Sequence, residues 1–321
     1  MTEQIQVAVK EQTMAERFVA KVMTGFGTDA SEVDLTRFQQ RLAQNYCIAI
    51  DHVLKVAEEK RKKKDEKYRD KVAVTWANMD MESLRDDVIA AARVGLDPAQ
   101  KNHINLIPFK DNATGKYGIG FIEGYRGIEL KAKKYGLDTP DHVIVELVYS
   151  TDKFKSIKKD RNNHYESFEF EVTNEFDRGT IVGGFYYHVF SQNPEKNKLV
   201  VMSIKDIEKR KPRYASAEFW GGEKDVWENK KKVGKEIIEG WYDKMCWKTI
   251  ARAAYNDITI DSQKIDSDYM RLKQIESSFK DAEVAQEIEE NANKNAIDID
   301  ATITTETETP PTDAPEPGPD F

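Results

Sequence analysis

Apolar residues recur every three or four positions over 9–24 and again over 32–69, where Leu35, Phe38, Leu42, Tyr46, Ile50 and Leu54 follow the capping candidates Asp29 and Ser31. That period predicts two helices, each with one buried face. Asp80 can cap a third helix through Val88, Ile89 and Val94, with Gly95 placed as its left-handed stop and Pro98 just beyond. The pattern then shifts to strand. I-N-L-I-P-F (104–109) and Y-G-I-G-F-I (117–122) flank the turn-rich D-N-A-T-G-K and predict a hairpin. A short helix over 124–136 carries Ile128, Ala132 and Tyr135 on one face and Arg126, Lys133 and Lys134 on another. Strand-like segments follow at 142–150, 165–172, 180–191 and 198–203, spaced for an antiparallel sheet rather than a βαβ series. Ser203 opens a capping-box pattern, S-I-K-D, that predicts a short helix over 204–211. The Gly- and Lys-rich stretch 213–236 reads as a mobile loop with some helix, and 237–256 as a helix.

These elements define an α+β chain: a small antiparallel sheet with a hairpin packed on helices, a helical N-terminal region and a disordered acidic C-terminal tail. The expected divisions are 1–72 (helical, with room for oligomer contacts), 73–260 (the core), 261–290 (a helical extension) and 291–321 (the tail). Half of the ten prolines fall in the last twelve residues, where nothing apolar is periodic, so burial cannot offset the ordering entropy there. No stretch approaches the ~18 apolar residues of a membrane span. The opening M-T-E-Q-I-Q-V lacks the order of a signal peptide, so the cytoplasm is the expected location. Cys47 and Cys246, both in helical apolar contexts, read as small core residues.

Charge changes this picture. The net charge is −8, yet from Asp281 to Phe321 there are twelve acidic residues against one lysine, so the tail carries −11 and the other 280 residues carry +3. A mildly basic body with an acidic tail suits a nucleic-acid partner. Lys/Arg clusters at 60–64, 131–134, 153–161, 205–213 and 230–235 imply that acids are segregated elsewhere. Phe154, Tyr165, Tyr214, Phe219, Trp220 and Trp227 lie among them, a mixture that suits backbone tracking and base stacking, although hairpin aromatics packing on a helix layer are expected to account for most of these rings. The stretch W-Y-D-K-M-C-W-K-T-I-A-R (241–252) is more pointed. At about 100° per residue, Cys246, Trp247, Ile250, Ala253 and Ala254 gather on a core side, while Trp241, Met245, Lys248, Thr249 and Arg252 gather on another. Two cations beside a ring, on a side the core does not need, suit single-stranded nucleic acid.

Enzyme signatures are sparse. The Gly-Lys pairs at 115 and 234 are followed by Tyr117 and Glu236, so no P-loop is present. Gly118, Gly120 and Gly124 have the wrong spacing for a dinucleotide fingerprint, and the five histidines have no second ligand at metal spacing. Glu123, Glu146 and Asp152 could form a two-metal nuclease cluster, the alternative function from a different class. A third reading is a module that coats strands without pairing them. Gly124-Tyr125-Arg126-Gly127 sits where a strand turns into a helix; its glycines serve either a tight turn or an anion site on outward-facing helix amides.

Taken in order, A-A-R-V-G-L-D-P (91–98), L-I-P-F (106–109), G-Y-R-G-I-E-L (124–130) with Lys133 and Gly136, Asp152-x-Phe154, V-M-S-I-K-D-I (201–207) and the set Trp241, Met245, Lys248, Thr249 and Arg252 resemble the RecT family of phage and prophage single-strand annealing proteins. The resemblance spans roughly 80–256. It implies a protein without a catalytic group that binds single-stranded DNA, assembles into rings or helical filaments, pairs complementary strands without ATP and releases an annealed duplex inside a bacterial host cell. It also implies a basic groove, magnesium as common support for DNA binding, no other cofactor, a partner exonuclease, and a possible encounter with host single-strand-binding protein. Within it, Lys248, Arg252, Arg126, Lys133 and Lys134 are assigned to phosphates, Tyr125 and Trp241 to base stacking or wedging, and Thr249 to holding the loop that presents Arg126. Where the family continues past its final Arg with a second basic residue and a later Lys, this chain has Ala253, Ala254 and Asn256.

The acidic tail is expected to limit premature DNA binding. Deleting 281–321 should then tighten single-strand affinity at low salt; an unchanged affinity in a fluorescence-anisotropy titration removes the idea.

Overall fold

The computed structural model describes residues 13–26, 37–111, 114–212, 215–228 and 231–292. Capping candidates Asp29 and Ser31 and the expected disordered tail from 293 lie outside the described residues. The first two helices are α1 (Met14–Phe26) and α2 (Arg37–Lys63), and α2 buries Leu42, Tyr46, Ile50 and Leu54 at the expected spacing. In α3 (Met81–Val94) the Asp80 carboxylate accepts from the Ser83 amide, and Gly95 takes φ +96° to end the helix. Both caps are as the sequence predicts. The hairpin of β1 (Ile104–Lys110) and β2 (Tyr117–Glu123) is antiparallel, with Ile107 opposite Gly120, and leads into α4 (Tyr125–Tyr135).

A three-stranded antiparallel sheet, ordered β3–β6–β7, forms from β3 (His142–Tyr149), β6 (Ile181–Val189) and β7 (Lys198–Ser203). Between β3 and β6 lies a second hairpin, β4 (Lys153–Ile157) with β5 (Ser167–Glu171). Successive residues of β6 serve opposite faces. Phe185 and Tyr187 meet Phe154, Phe168 and Phe170 of that hairpin, whereas Tyr186 joins the core under the following helices. Phe154 is therefore core packing, stacked on Phe185 at 4.8 Å. Asp152, whose side chain is fully buried, holds the hairpin through Arg178 at 2.6 Å. Arg178 also donates to the Leu147 carbonyl and lies 4.3 Å from the Tyr149 ring centroid.

Ser203 closes a capping box with Asp206 at the start of α5 (Ile204–Glu208). The stretch 213–236 departs from expectation. Apart from the single turn α6 (Ala217–Trp220), its described part is a hairpin of β8 (Gly222–Glu228) and β9 (Lys231–Ile238). Its strands are held by pairs such as Lys232 with Asp225 at 2.6 Å, and Lys235 with Glu223. With charges in place of alternating apolar residues, the strand period leaves no mark in hydrophobicity. The helix α7 (Tyr242–Asn256) then crosses the sheet, and α8 (Ser267–Ala292) ends the described chain.

The chain divides between Ala282 and Glu283 into two compact units. Within the first, packing runs continuously across residue 72: Phe18, Tyr46 and Leu54 share one core with Leu84, Ile119 and Phe121. The segment expected as an extension docks on that core through Tyr269, Leu272 and Ile275. Phe279 lies edge-on to Phe109, over Gly120, where any side chain would overlap its ring. Cys246 is buried and Cys47 partly so; both are unbridged.

An ion pair clamps α8 to α3. Arg271 donates from Nε to Asp87 at 2.6 Å and from Nη2 to the Ser83 hydroxyl at 2.8 Å. Burial pushes the Asp87 carboxyl up to about 6, against the pull of Arg271 and with the help of Asp86 and Asp80. A carboxyl raised in the fold binds its proton there first, so its contribution to stability falls as the pH climbs from about 4. Arg271→Ala strands that carboxylate and should cost about 3–5 kcal/mol at pH 8. The loss should shrink toward pH 5, where Asp87 is protonated. Urea unfolding at the two pH values checks this, and equal losses would refute it.

Candidate nucleic-acid interface

The corner between β2 and α4 is set by backbone. A Cβ on Gly124 would lie 2.1 Å from the Asn102 carbonyl oxygen, and one on Gly127 would lie 2.2 Å from that of His103. Those carbonyls take the amides at the helix start: Gly124 donates to His103 at 2.9 Å, and Arg126 and Gly127 donate to Asn102 at 3.1 and 3.3 Å. Asn102 itself holds φ +64° to deliver its carbonyl. Of the two readings of these glycines, the tight turn is the one built. The amides needed for an outward anion site are already occupied, so Arg126 stands at the corner without one.

Helix α7 meets this corner. Cys246, Ile250 and Ala254 enter the core with Leu147, Tyr186 and Met202. Ala251 is also buried. Trp247 joins two structures: its indole Nε1 donates to the Val145 carbonyl of β3 at 3.1 Å, and its ring meets Tyr125 edge-on at 5.3 Å. Such a pairing fixes both rings. Arg252 reaches back to β2, with Nη1 donating to the Glu123 carbonyl at 2.6 Å. Although part of Arg252 remains in solvent, desolvation of its guanidinium lowers its pKa, and the fields of Glu123 and Glu276 oppose that shift.

The eight candidate residues fall into four groups. Tyr125, Arg126, Lys248 and Arg252 sit at or beside the α4–α7 joint: Arg126 and Lys248 each follow a partner of the Tyr125–Trp247 contact. Arg126 is exposed and Lys248 half-buried, and neither forms an ion pair among the described residues. Lys133 and Lys134 lie farther along α4 and are engaged, Lys133 with Glu129 at 2.7 Å and Lys134 with the Arg93 carbonyl at 3.2 Å. Trp241, 58% exposed, caps the start of α7 with Lys244 4.5 Å from its ring centroid. Eleven residues of helix put it about 16 Å from Arg252. Thr249 does not brace the Arg126 loop. Its hydroxyl donates to the Met245 carbonyl of its own helix at 2.9 Å, which is the back-bond a mid-helix threonine makes when no other acceptor is in reach.

The expected segregation of acids fails as well. Lys153 pairs with Glu171 and Lys155 with Glu169 across β4–β5, each at 3.2 Å, and Lys158 pairs with Glu166 at 3.1 Å. Arg61 pairs with Glu58, Lys131 with Glu123, and Lys209 approaches Asp206. Most basic runs are thus rungs of local ion pairs. Among the interleaved rings Trp220 is buried and Tyr165 and Phe219 are exposed, while Tyr214 and the side chain of Trp227 lie outside the described residues. Glu123, Glu146 and Asp152 do not converge: Lys131 holds Glu123, Arg178 holds Asp152, and no group of three His, Cys, Asp or Glu able to hold a metal occurs among the described residues. Those three carboxylates therefore do not form a magnesium site.

The family model for RecT matches residues 77–283. The chain belongs to the RecT family, the single-strand annealing proteins of phage-type recombination. No curated protein and no solved structure matches it. The matched span runs from just before α3 into α8, so it takes in the corner, the sheet and both helices that brace them. No helix among the described residues is long and apolar enough to cross a membrane.

Replacing Gly124 by Ala should cost on the order of 3 kcal/mol, because the methyl group meets backbone that cannot rotate away. An unchanged urea midpoint would show that the corner tolerates a side chain.

Proposed function

We propose that this protein binds single-stranded DNA along the α4–α7 joint and pairs it with a complementary strand without ATP, as a homo-oligomeric ring or helical filament in the bacterial cytoplasm. The observation that carries this reading is that Arg126 and Lys248, two cations without a carboxylate partner among the described residues, each follow one ring of the Tyr125–Trp247 contact that joins α4 to α7. Family membership supplies the class of activity. Annealing makes and breaks no covalent bond, so it asks for no catalytic group. It asks that a strand be held extended with its base edges exposed and that the repulsion between two polyanions be screened.

In this reading Arg126 and Lys248 take phosphates. Lys133, seven residues from Arg126 and so on the same side of α4, continues the track at reduced strength because Glu129 already holds it. Lys134 lies at its rim. Tyr125 is spent on Trp247 and positions Arg126, whereas Trp241, exposed and backed by Lys244, offers a face to a base. Thr249 keeps the helix surface between Lys248 and Arg252 closed on itself. Magnesium acts in this reading as a counter-ion on the DNA. A partner exonuclease supplies the strand, and host single-strand-binding protein is met on it.

The test uses Arg126→Ala and Lys248→Ala. Each should weaken single-strand binding and reduce the slope of log K against log salt by about 0.7 for every phosphate no longer neutralised. A slope equal to that of the unaltered protein removes the phosphate role. A quenching assay with two labelled complementary strands must also show pairing; binding without pairing would leave a strand-coating module, and cleavage with Mg²⁺ would restore the nuclease.

A further inference from the structure

We infer that Arg252 is a positioning residue: it braces the β2–α4 corner through the Glu123 carbonyl and acts on DNA through Arg126 rather than as a phosphate ligand. This rests on the proposed binding site and assigns a different task to one of its cations.

Lys248 and Arg252 are one helical turn apart on α7, so sequence spacing makes them look alike. Their surroundings differ. Lys248 has no polar partner among the described residues, whereas Arg252 spends Nη1 on a carbonyl 129 positions away in the chain. That carbonyl belongs to the last residue of β2, and the next peptide enters Gly124. The neighbouring carboxylates are already engaged: Glu123 holds Lys131 with both oxygens at 2.6 and 2.7 Å, and Glu276 pairs with Lys273 and Lys280 at 3.0 and 2.8 Å. Arg252 feels their fields without forming a salt bridge to either. Although Arg252 is exposed, one of its guanidinium nitrogens is tied to a backbone oxygen far away in the chain, so it can serve as a strut.

The strut bears on one end of a short lever. The Asn102 and His103 carbonyls hold the amides of Gly124, Arg126 and Gly127 from one side, and Arg252 holds the peptide entering Gly124 from the other. Tyr125 is pinned between them by Trp247. Among the described residues, Arg126 has no side-chain anchor except the ring of its neighbour, 5.9 Å away. Its aim is therefore inherited from the backbone that Arg252 fixes. Two residues of α7, Trp247 and Arg252, thus set the direction of a cation on α4.

The experiment compares Arg252→Ala and Arg252→Met, the second keeping the apolar stem while removing the donor, in the full-length protein. First, hydrogen exchange at the amides of Gly124, Arg126 and Gly127 is measured without DNA, and should quicken at least about tenfold in both variants. Second, oligo(dT) affinity should fall about tenfold, with the salt slope reduced no further than Arg126→Ala itself reduces it. Third, in an Arg126→Ala background either variant should cost little further affinity, since the effect travels through Arg126. A slope reduced by about 0.7 with exchange unaltered would make Arg252 an ordinary phosphate ligand, overturning the inference and leaving the proposed function intact. If Arg126→Ala itself leaves binding untouched, the binding site is wrong, and the exchange measurement alone then decides the strut: unaltered rates overturn it. Should the Ala variant fail to fold, the Met variant provides the same readouts.

Discussion

Two carbonyl oxygens occupy the space where residues 124 and 127 would otherwise carry side chains, and this exclusion governs how the first half of the molecule meets the second. Because Asn102 and His103 come so close, β2 can turn directly into α4 with its first amides satisfied inside the protein. Helix ends usually leave such groups to solvent or ligand. Here they are consumed by the fold, which makes the corner rigid and transfers the task of meeting an anion to side chains. Everything proposed about Arg126 depends on that rigidity.

The second dependency is a helix that serves three neighbours. Residues 246, 250 and 254 of α7 enter the sheet core, Trp247 joins β3 to Tyr125, and Arg252 reaches the end of β2. A helix with one apolar stripe is fixed to one layer; this one ties the sheet to the hairpin–helix corner. Lys248 projects from the remaining sector. Beyond Arg252 the helix returns to the core: Ala254 is fully buried and Ala253 packs beside it.

Much of this was legible from residues alone, for identifiable reasons. Caps at Asp80, Gly95 and Ser203 rest on local backbone chemistry, and the apolar periods of α2 and β6 rest on burial. The hairpin β8–β9 was illegible because its strands are stitched by charge pairs, which carry no hydrophobic alternation. Lysine runs misled for a related reason: composition counts cations, while pairing such as Lys155 with Glu169 depends on register. The candidate site was half legible. Motif order marked the corner and α7, but the bond from Arg252 to Glu123, across 129 residues, and the packing of Trp247 on Tyr125 leave no signal in spacing. Trp247 in particular read as plain core.

The pairing of many surface cations bears on how an annealing protein could work. A body with a net charge of only +3 would be a poor polyanion binder if charge were spread evenly, since rungs such as Lys153–Glu171 offer a phosphate no net attraction. Local neutralisation of the paired cations instead leaves those without carboxylates as the places where a backbone gains by binding. Few phosphate ligands per subunit mean weak, salt-sensitive and reversible holding. Multiplied along an assembly, weak attachments still retain a strand, yet any one of them can release while a complementary base pairs. A protein that gripped each nucleotide tightly would protect its strand from the partner it is meant to find. Cations without carboxylates on a rigid corner, repeated as the proposed assembly requires, meet both demands.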